Sequence, residues 1–179
     1  MAIDEKKWAE IKAKWASKTE TPKPEFKKDL KRGHEGENTF YQKYQSSVTH
    51  LDGRNADFEI NKSGETIELK TDFYNYDKTV NFFMERYSYG EEPGGPWASL
   101  KKKITYYIYQ FPSHDIMFIF NTAQLVKKLE KMESKLKLIN VQNKNYLTRG
   151  YKVPIIELAG IELQPEDINL HEPKKGKKK

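Results

Sequence analysis

Asp57-Phe58-Glu59-Ile60-Asn61-Lys62-Ser63-Gly64-Glu65-Thr66-Ile67-Glu68-Leu69-Lys70 is the stretch on which the reading of this chain turns. Two alternating segments, 57–60 and 65–70, flank the turn-forming Asn61-Lys62-Ser63-Gly64, which is the pattern of two adjoining strands. Side chains on a strand alternate between faces. Glu68 and Lys70 therefore share one face, while Ile67 and Leu69 point the other way, toward a core. An Asp opening one strand and a Glu-x-Lys triplet on the next are thereby placed to converge.

Phosphodiester hydrolysis calls for these side chains together. It needs a divalent cation held by oxygen ligands to orient water and to stabilise the charge that builds on phosphate and leaving oxygen. Asp57 and Glu68 can supply carboxylates, and the main-chain carbonyl of Leu69 a third oxygen. Lys70 is a point charge that can lower the pKa of a nearby water or neutralise the transition state. An ordinary surface hairpin would also carry Glu59, Glu68 and Lys70 as a solvated cross-strand pair. The hairpin alone does not decide between the two.

Glu37 is the further feature. Lys31–Tyr44 reads as a helix with apolar residues at 40, 41 and 44, three, four and seven residues beyond Glu37. Those are same-face offsets, so a carboxylate lies in line with an inward-facing aromatic stripe. A buried charge without a partner is costly, which gives Glu37 a reason to meet a cation. The plainer alternative is an acid in the first helical turn, favoured there by the dipole.

Glu37 on an early helix, then Asp57, then Glu68-Leu69-Lys70 resembles the PD-(D/E)xK nuclease superfamily. Ala56 stands where the proline of that motif's name would be. Asn81-Phe82-Phe83-Met84-Glu85-Arg86, Trp97-Ala98-Ser99 and Ile116–Phe120 also resemble small phage-type members. The likeness covers roughly residues 30 to 130 and is sharp only at the four acid and lysine positions. It implies a restriction-endonuclease-like α/β core, a mixed central sheet flanked by helices, with the site where two strands diverge. It implies magnesium as cofactor, with manganese able to substitute, and no organic cofactor.

The residues support an α/β class on their own account. Strand-like runs fall at 56–60, 65–70, 80–87 and 116–121. Helical spacing covers 97–111, where Leu100, Ile104, Tyr107, Ile108 and Phe111 share a face, and about 122–136, where Leu125, Val126, Leu129 and Met132 do, with Asn121 or Thr122 as cap. Segments 137–142 and 151–158 read as extended, returning to the sheet or forming an edge hairpin. Alternation of strands with helices points to α/β. The 179 residues suit one core. A single domain is expected over 25–170, preceded by a helical extension and linker over 1–24 and followed by a basic tail over 171–179. In the extension Trp8, Ile11 and Trp15 share a face, suited to packing on the core, to a second subunit or to DNA. Thr19–Pro24 reads as a linker.

Thirty-two Lys and Arg against twenty-six Asp and Glu give a formal charge of +6, and the chain ends Lys174-Lys175-Gly176-Lys177-Lys178-Lys179, a balance that suits a polyanion. Arg54, Lys78, Arg86, Lys101, Lys102 and Lys103 flank the acids in sequence and are the expected phosphate contacts. Asn81 and Glu85 share a strand face, placed either to line the site or, for Glu85, to pair with a lysine. Among eleven tyrosines, those of Tyr87-Ser88-Tyr89 and Tyr106-Tyr107-Ile108-Tyr109 could stack on unpaired bases or simply pack. The chain has no cysteine, which excludes thiol nucleophiles and cysteine-ligated zinc. His34, His50, His114 and His171 show no metal-ligand spacing, although His34 stands near Glu37. No phosphate-cradling glycine loop, membrane-length apolar run or signal-peptide core is present. A cytoplasmic protein is expected, in the host cell if the gene belongs to a phage.

Three functions follow. The first is a metal-dependent endodeoxyribonuclease using one or two magnesium ions. Within it, a phage homing or restriction-like enzyme stands beside a structure-selective Holliday-junction resolvase, either as a homodimer because a two-fold target has two equivalent scissile bonds. The second is a non-catalytic nucleic-acid-binding protein that keeps the fold and the basic surface. The third is an interaction protein whose lysine tail aids solubility.

Overall fold

A computed structural model describes residues 26–52, 55–73, 80–142 and 147–173, and for 26–32 it describes the backbone. The expected N-terminal helix with Trp8, Ile11 and Trp15, the 19–24 linker, Arg54, Lys78 and the 174–179 tail lie outside the described residues. The described chain runs α1 (Phe26–Tyr44), β1 (Val48–His50), β2 (Phe58–Ile60), β3 (Thr66–Thr71), β4 (Asn81–Tyr87), α2 (Gly95–Lys101), β5 (Tyr106–Phe111), β6 (Ile116–Asn121), α3 (Thr122–Met132), β7 (Leu138–Gln142), β8 (Leu147–Pro154) and β9 (Glu162–Leu163). The architecture is α/β. A mixed six-stranded sheet has the order β1-β2-β3-β5-β6-β9, and β4, β8 and β7 make a smaller antiparallel sheet. Within the larger sheet β3 and β5 are parallel and every other pair is antiparallel.

Alternation along the central strands builds a core on each face. Ile67, Leu69, Ile108 and Ile119 face one side, where Phe40 and Tyr44 of α1 close over them together with Val48, Phe58, Ile60, Ile168 and Leu170. Tyr107, Tyr109, Phe118 and Phe120 face the other, against Phe82 and Met84 of β4, Val153 of β8 and Leu125, Val126 and Leu129 of α3. Each such side chain contributes about 1.5–3 kcal/mol by leaving water. The α1 stripe is narrower than expected: Phe40 and Tyr44 are buried, but Tyr41 is exposed.

The expected helix over 97–111 is corrected. α2 stops at Lys101, Lys103 takes a left-handed φ of 62°, and 106–111 forms the central strand β5, buried at every position. A strand covered on both faces is apolar throughout, so a helical spacing can be picked out of it by chance. The helix after β6 is present, and Asn121 is its cap, its side chain accepting the Gln124 N–H at 3.1 Å. The segments expected to be extended after it form β7 and β8, an antiparallel pair of which β8 joins β4 rather than the central sheet; Ile155–Leu158 is a 3₁₀ turn.

Candidate functional site

The hairpin of β2 and β3 forks where Asp57 stands. The ladder pairs Glu59 with Thr66 and Phe58 with Ile67, and the Asp57 N–H donates to the Ile67 carbonyl at 3.0 Å. One step further the main-chain ladder ends. The Asp57 carboxylate takes over, its Oδ2 accepting the Leu69 N–H at 2.7 Å. Asp72 N–H donates to Gln110 of β5, so even-numbered residues of β3 bond toward β5 and odd-numbered ones toward β2. The Leu69 carbonyl therefore shares the edge of its own N–H and faces the fork beside Asp57. Glu68 and Lys70 stand on the sheet face opposite Leu69, half-buried.

Glu37 reaches this fork from α1. It lies about three turns inside the helix, far from the first turn to which a dipole effect is confined. The acid is thus not there to cap a helix. Its approach depends on Gly36, where a Cβ would collide with the Thr71 side chain of β3. Gln110 pins the same crossing, donating to the Gly36 carbonyl at 2.9 Å and to the Thr71 hydroxyl at 2.8 Å. Two imidazoles then flank Glu37: His34 Nδ1 and His50 Nε2 each lie 3.6 Å from its Oε2. His34 was legible three residues away on one helix. His50 was not, because β1 brings it in by pairing opposite Phe58, against whose ring it sits edge-on.

Charge at the fork is concentrated. Burial pushes the Glu68 carboxyl up to about 7, Asp57 and Glu37 push in the same direction, and Lys102 and Lys70 oppose them. Burial likewise raises Asp57, opposed by the Leu69 N–H, and Glu37 adds to the rise. Glu85 of β4 is raised by burial and held down by Lys70 and by a hydrogen bond from Ser88. Beneath them the Tyr107 hydroxyl is driven well above its ordinary value by burial and by the charges of Glu68, Glu85 and Asp57. Carboxylates drawn together out of water resist ionising together unless a cation joins them.

The donor set fits a hard divalent cation. Among the described residues no three His, Asp or Glu side chains form a ready-made metal cage. Magnesium does not require one, since it is ordinarily held by one or two carboxylates with waters and substrate phosphate completing its shell. Asp57, Glu68 and the Leu69 carbonyl would hold it, with Glu37 alongside.

The expected phosphate contacts divide. Lys102, at the end of α2, bears on both Asp57 and Glu68. Lys101 is exposed and lies 3.6 Å from Glu92, and Lys103 is exposed at the left-handed end of the helix. Arg86 is engaged inside the fold: its Nε donates to Glu133 at 3.2 Å, and its guanidinium lies 4.8 Å from the rings of both Tyr87 and Trp97. Asn81 shares the Glu85 face of β4 but starts the strand, about 13 Å away along it.

The chain matches no family model, no curated protein and no solved structure in comparisons with each. Among the described residues no helix is long and apolar enough to cross a membrane.

Proposed function

We propose that this chain is a magnesium-dependent endodeoxyribonuclease of the PD-(D/E)xK kind. The observation that carries the reading is the fork itself: Asp57 accepts the Leu69 N–H where β2 and β3 part, Glu68 follows on β3, and the charges of Asp57 and of Glu37, on the helix that crosses β3 at Gly36–Thr71, both bear on Glu68. Asp57 and Glu68 are the direct ligands, Glu37 an additional or water-mediated one, and Lys70 the activator. A bound magnesium would polarise the scissile phosphate and lower the pKa of its water. Lys70, on the Glu68 face, stabilises charge on the phosphoryl oxygens, and Lys102 adds a second cation above the same acids.

The substrate is DNA, met by a chain of formal charge +6 whose excess of Lys and Arg lies in its first thirty-two and last six residues. A homodimer would present two sites to a two-fold target. A freestanding phage enzyme acting in the host cytoplasm accords with this reading, as a homing or restriction-like nuclease or as a Holliday-junction resolvase. Titration calorimetry with magnesium and with manganese tests the centre. Wild type should bind, and Asp57→Asn and Glu68→Gln should each lose at least ten-fold in affinity, on the order of 1.4 kcal/mol. Unchanged affinity in both variants would remove them as ligands. Salt-sensitive DNA binding without metal binding or cleavage would point to the non-catalytic nucleic-acid-binding protein.

A further inference from the structure

Tyr89 is the most exposed tyrosine of the described chain, at 69 % of its surface, against 39 % for Tyr41, with the others buried or half-buried. It stands on the loop joining β4 to α2, and that loop is tied at every turn. Ser88 N–H donates to the Glu92 carbonyl and Glu92 N–H to the Tyr89 carbonyl, each at 3.0 Å, and Gly94 N–H returns to Arg86 at 3.0 Å. Gly90 supplies the left-handed φ of 60° that the reversal requires. Arg149 braces the loop from β8: it donates to the Gly90 carbonyl and to Glu91, and its guanidinium lies 4.5 Å from the Tyr87 ring. An aromatic ring is therefore held largely in water on a braced loop.

The foot of the loop rests on the candidate site. A Cβ at Gly94 would come within 2.5 Å of Glu85 Cγ, and one at Gly95 within 2.9 Å of the Glu85 carbonyl. Glu85 is the acid on which the Lys70 charge bears, and α2, which leaves the loop, stops at Lys101, one residue before Lys102. The charged groups of the loop are matched within the chain, Glu91 by Arg149 and Glu92 by Lys101. The tip thus offers a ring and no cation, which suits the face of a base and not a phosphate. A ring reaches a base face only where the base stack is open.

We infer that Tyr89 stacks on an unpaired or unstacked nucleobase beside the scissile bond, which makes the preferred substrate a branched, flapped or otherwise opened DNA rather than uninterrupted duplex. The inference rests on the reading of the chain as a DNA nuclease and names its substrate class.

Binding in EDTA separates the two. Linear duplex, 5′-flap and four-way DNA of equal length, with 2-aminopurine at the branch, are titrated with wild type, Tyr89→Ala and Tyr89→Phe. Wild type should favour the branched forms and quench the probe. Tyr89→Ala should lose about ten-fold on branched DNA and about two-fold or less on linear duplex, and Tyr89→Phe should retain both affinities. Equal affinity of wild type for linear and branched DNA, equal loss on both with Tyr89→Ala, or a Phe variant as weak as the Ala variant would overturn the inference. A branch preference lost in Tyr89→Ala by a protein that never cleaves in magnesium keeps the inference and removes the nuclease reading. Magnesium-dependent cleavage with Tyr89→Ala unaffected does the reverse.

Discussion

Burial and the neighbouring Asp57 and Glu37 carboxylates raise Glu68 from its ordinary 4.5 to about 7. In the unfolded chain the group titrates near its ordinary value, so between those two pH values the folded protein holds more proton than the unfolded one. Stability then falls as pH rises from about 4.5 to about 7 and stays lowered above it. Glu68→Gln removes this cost. Without metal, the variant should melt a few degrees above wild type at pH 8, on the order of 2 kcal/mol, with the gap closing by pH 4. Melting curves parallel at both pH values would refute the assignment. A cation must displace the same proton, so magnesium affinity should climb with pH through about 7. Asp57 has a second duty in accepting the Leu69 N–H. Asp57→Asn keeps an acceptor there, whereas Asp57→Ala leaves the amide unmet and should cost a further 1–3 kcal/mol or so in chemical denaturation.

The crossing of α1 over β3 sets the position of Glu37. Gly36→Ala drives a methyl into Thr71 and should destabilise by about 1–3 kcal/mol, with cleavage falling more than stability explains as α1 lifts Glu37 away. A variant as stable and as active as wild type would show that the crossing has slack. Arg86→Ala should destabilise by a similar amount, about 1–3 kcal/mol, through loss of Glu133 and Trp97, and leave DNA affinity within a few-fold. The hairpin holding Asp57, Glu68 and Lys70 was legible because turn residues separate two short alternations, and α3 because its cap and stripe are both local. β5 was not, since a strand buried on both faces has no periodicity to read. Neither the second sheet nor His50 announced itself: the sheet arises from a pairing between distant segments, β4 with β8, and β1, which carries His50, is three residues long and too short to show an alternation.

Across the whole molecule, the central sheet is covered by α1 on one face and by the smaller sheet and α3 on the other, and the acids emerge at the edge where β2 peels away. Positive charge is gathered at the two ends of the chain: residues 1–32 carry ten Lys and Arg against six Asp and Glu, and the last six, Lys174 to Lys179, carry five lysines. Truncation after Glu172 should weaken DNA binding and lower the slope of log affinity against log salt by a few units. An unchanged slope would place the tail outside the interface. Cleavage by wild type and Lys70→Ala, in magnesium, calcium or EDTA and on linear, nicked, flapped and four-way DNA, is the decisive test of a metal-dependent nuclease with Lys70 as its activator. Wild type should cut only with magnesium, and Lys70→Ala should fail to cut while binding DNA within a few-fold of wild type. Metal-independent cutting, or a Lys70→Ala protein that cuts as wild type does, would contradict that reading.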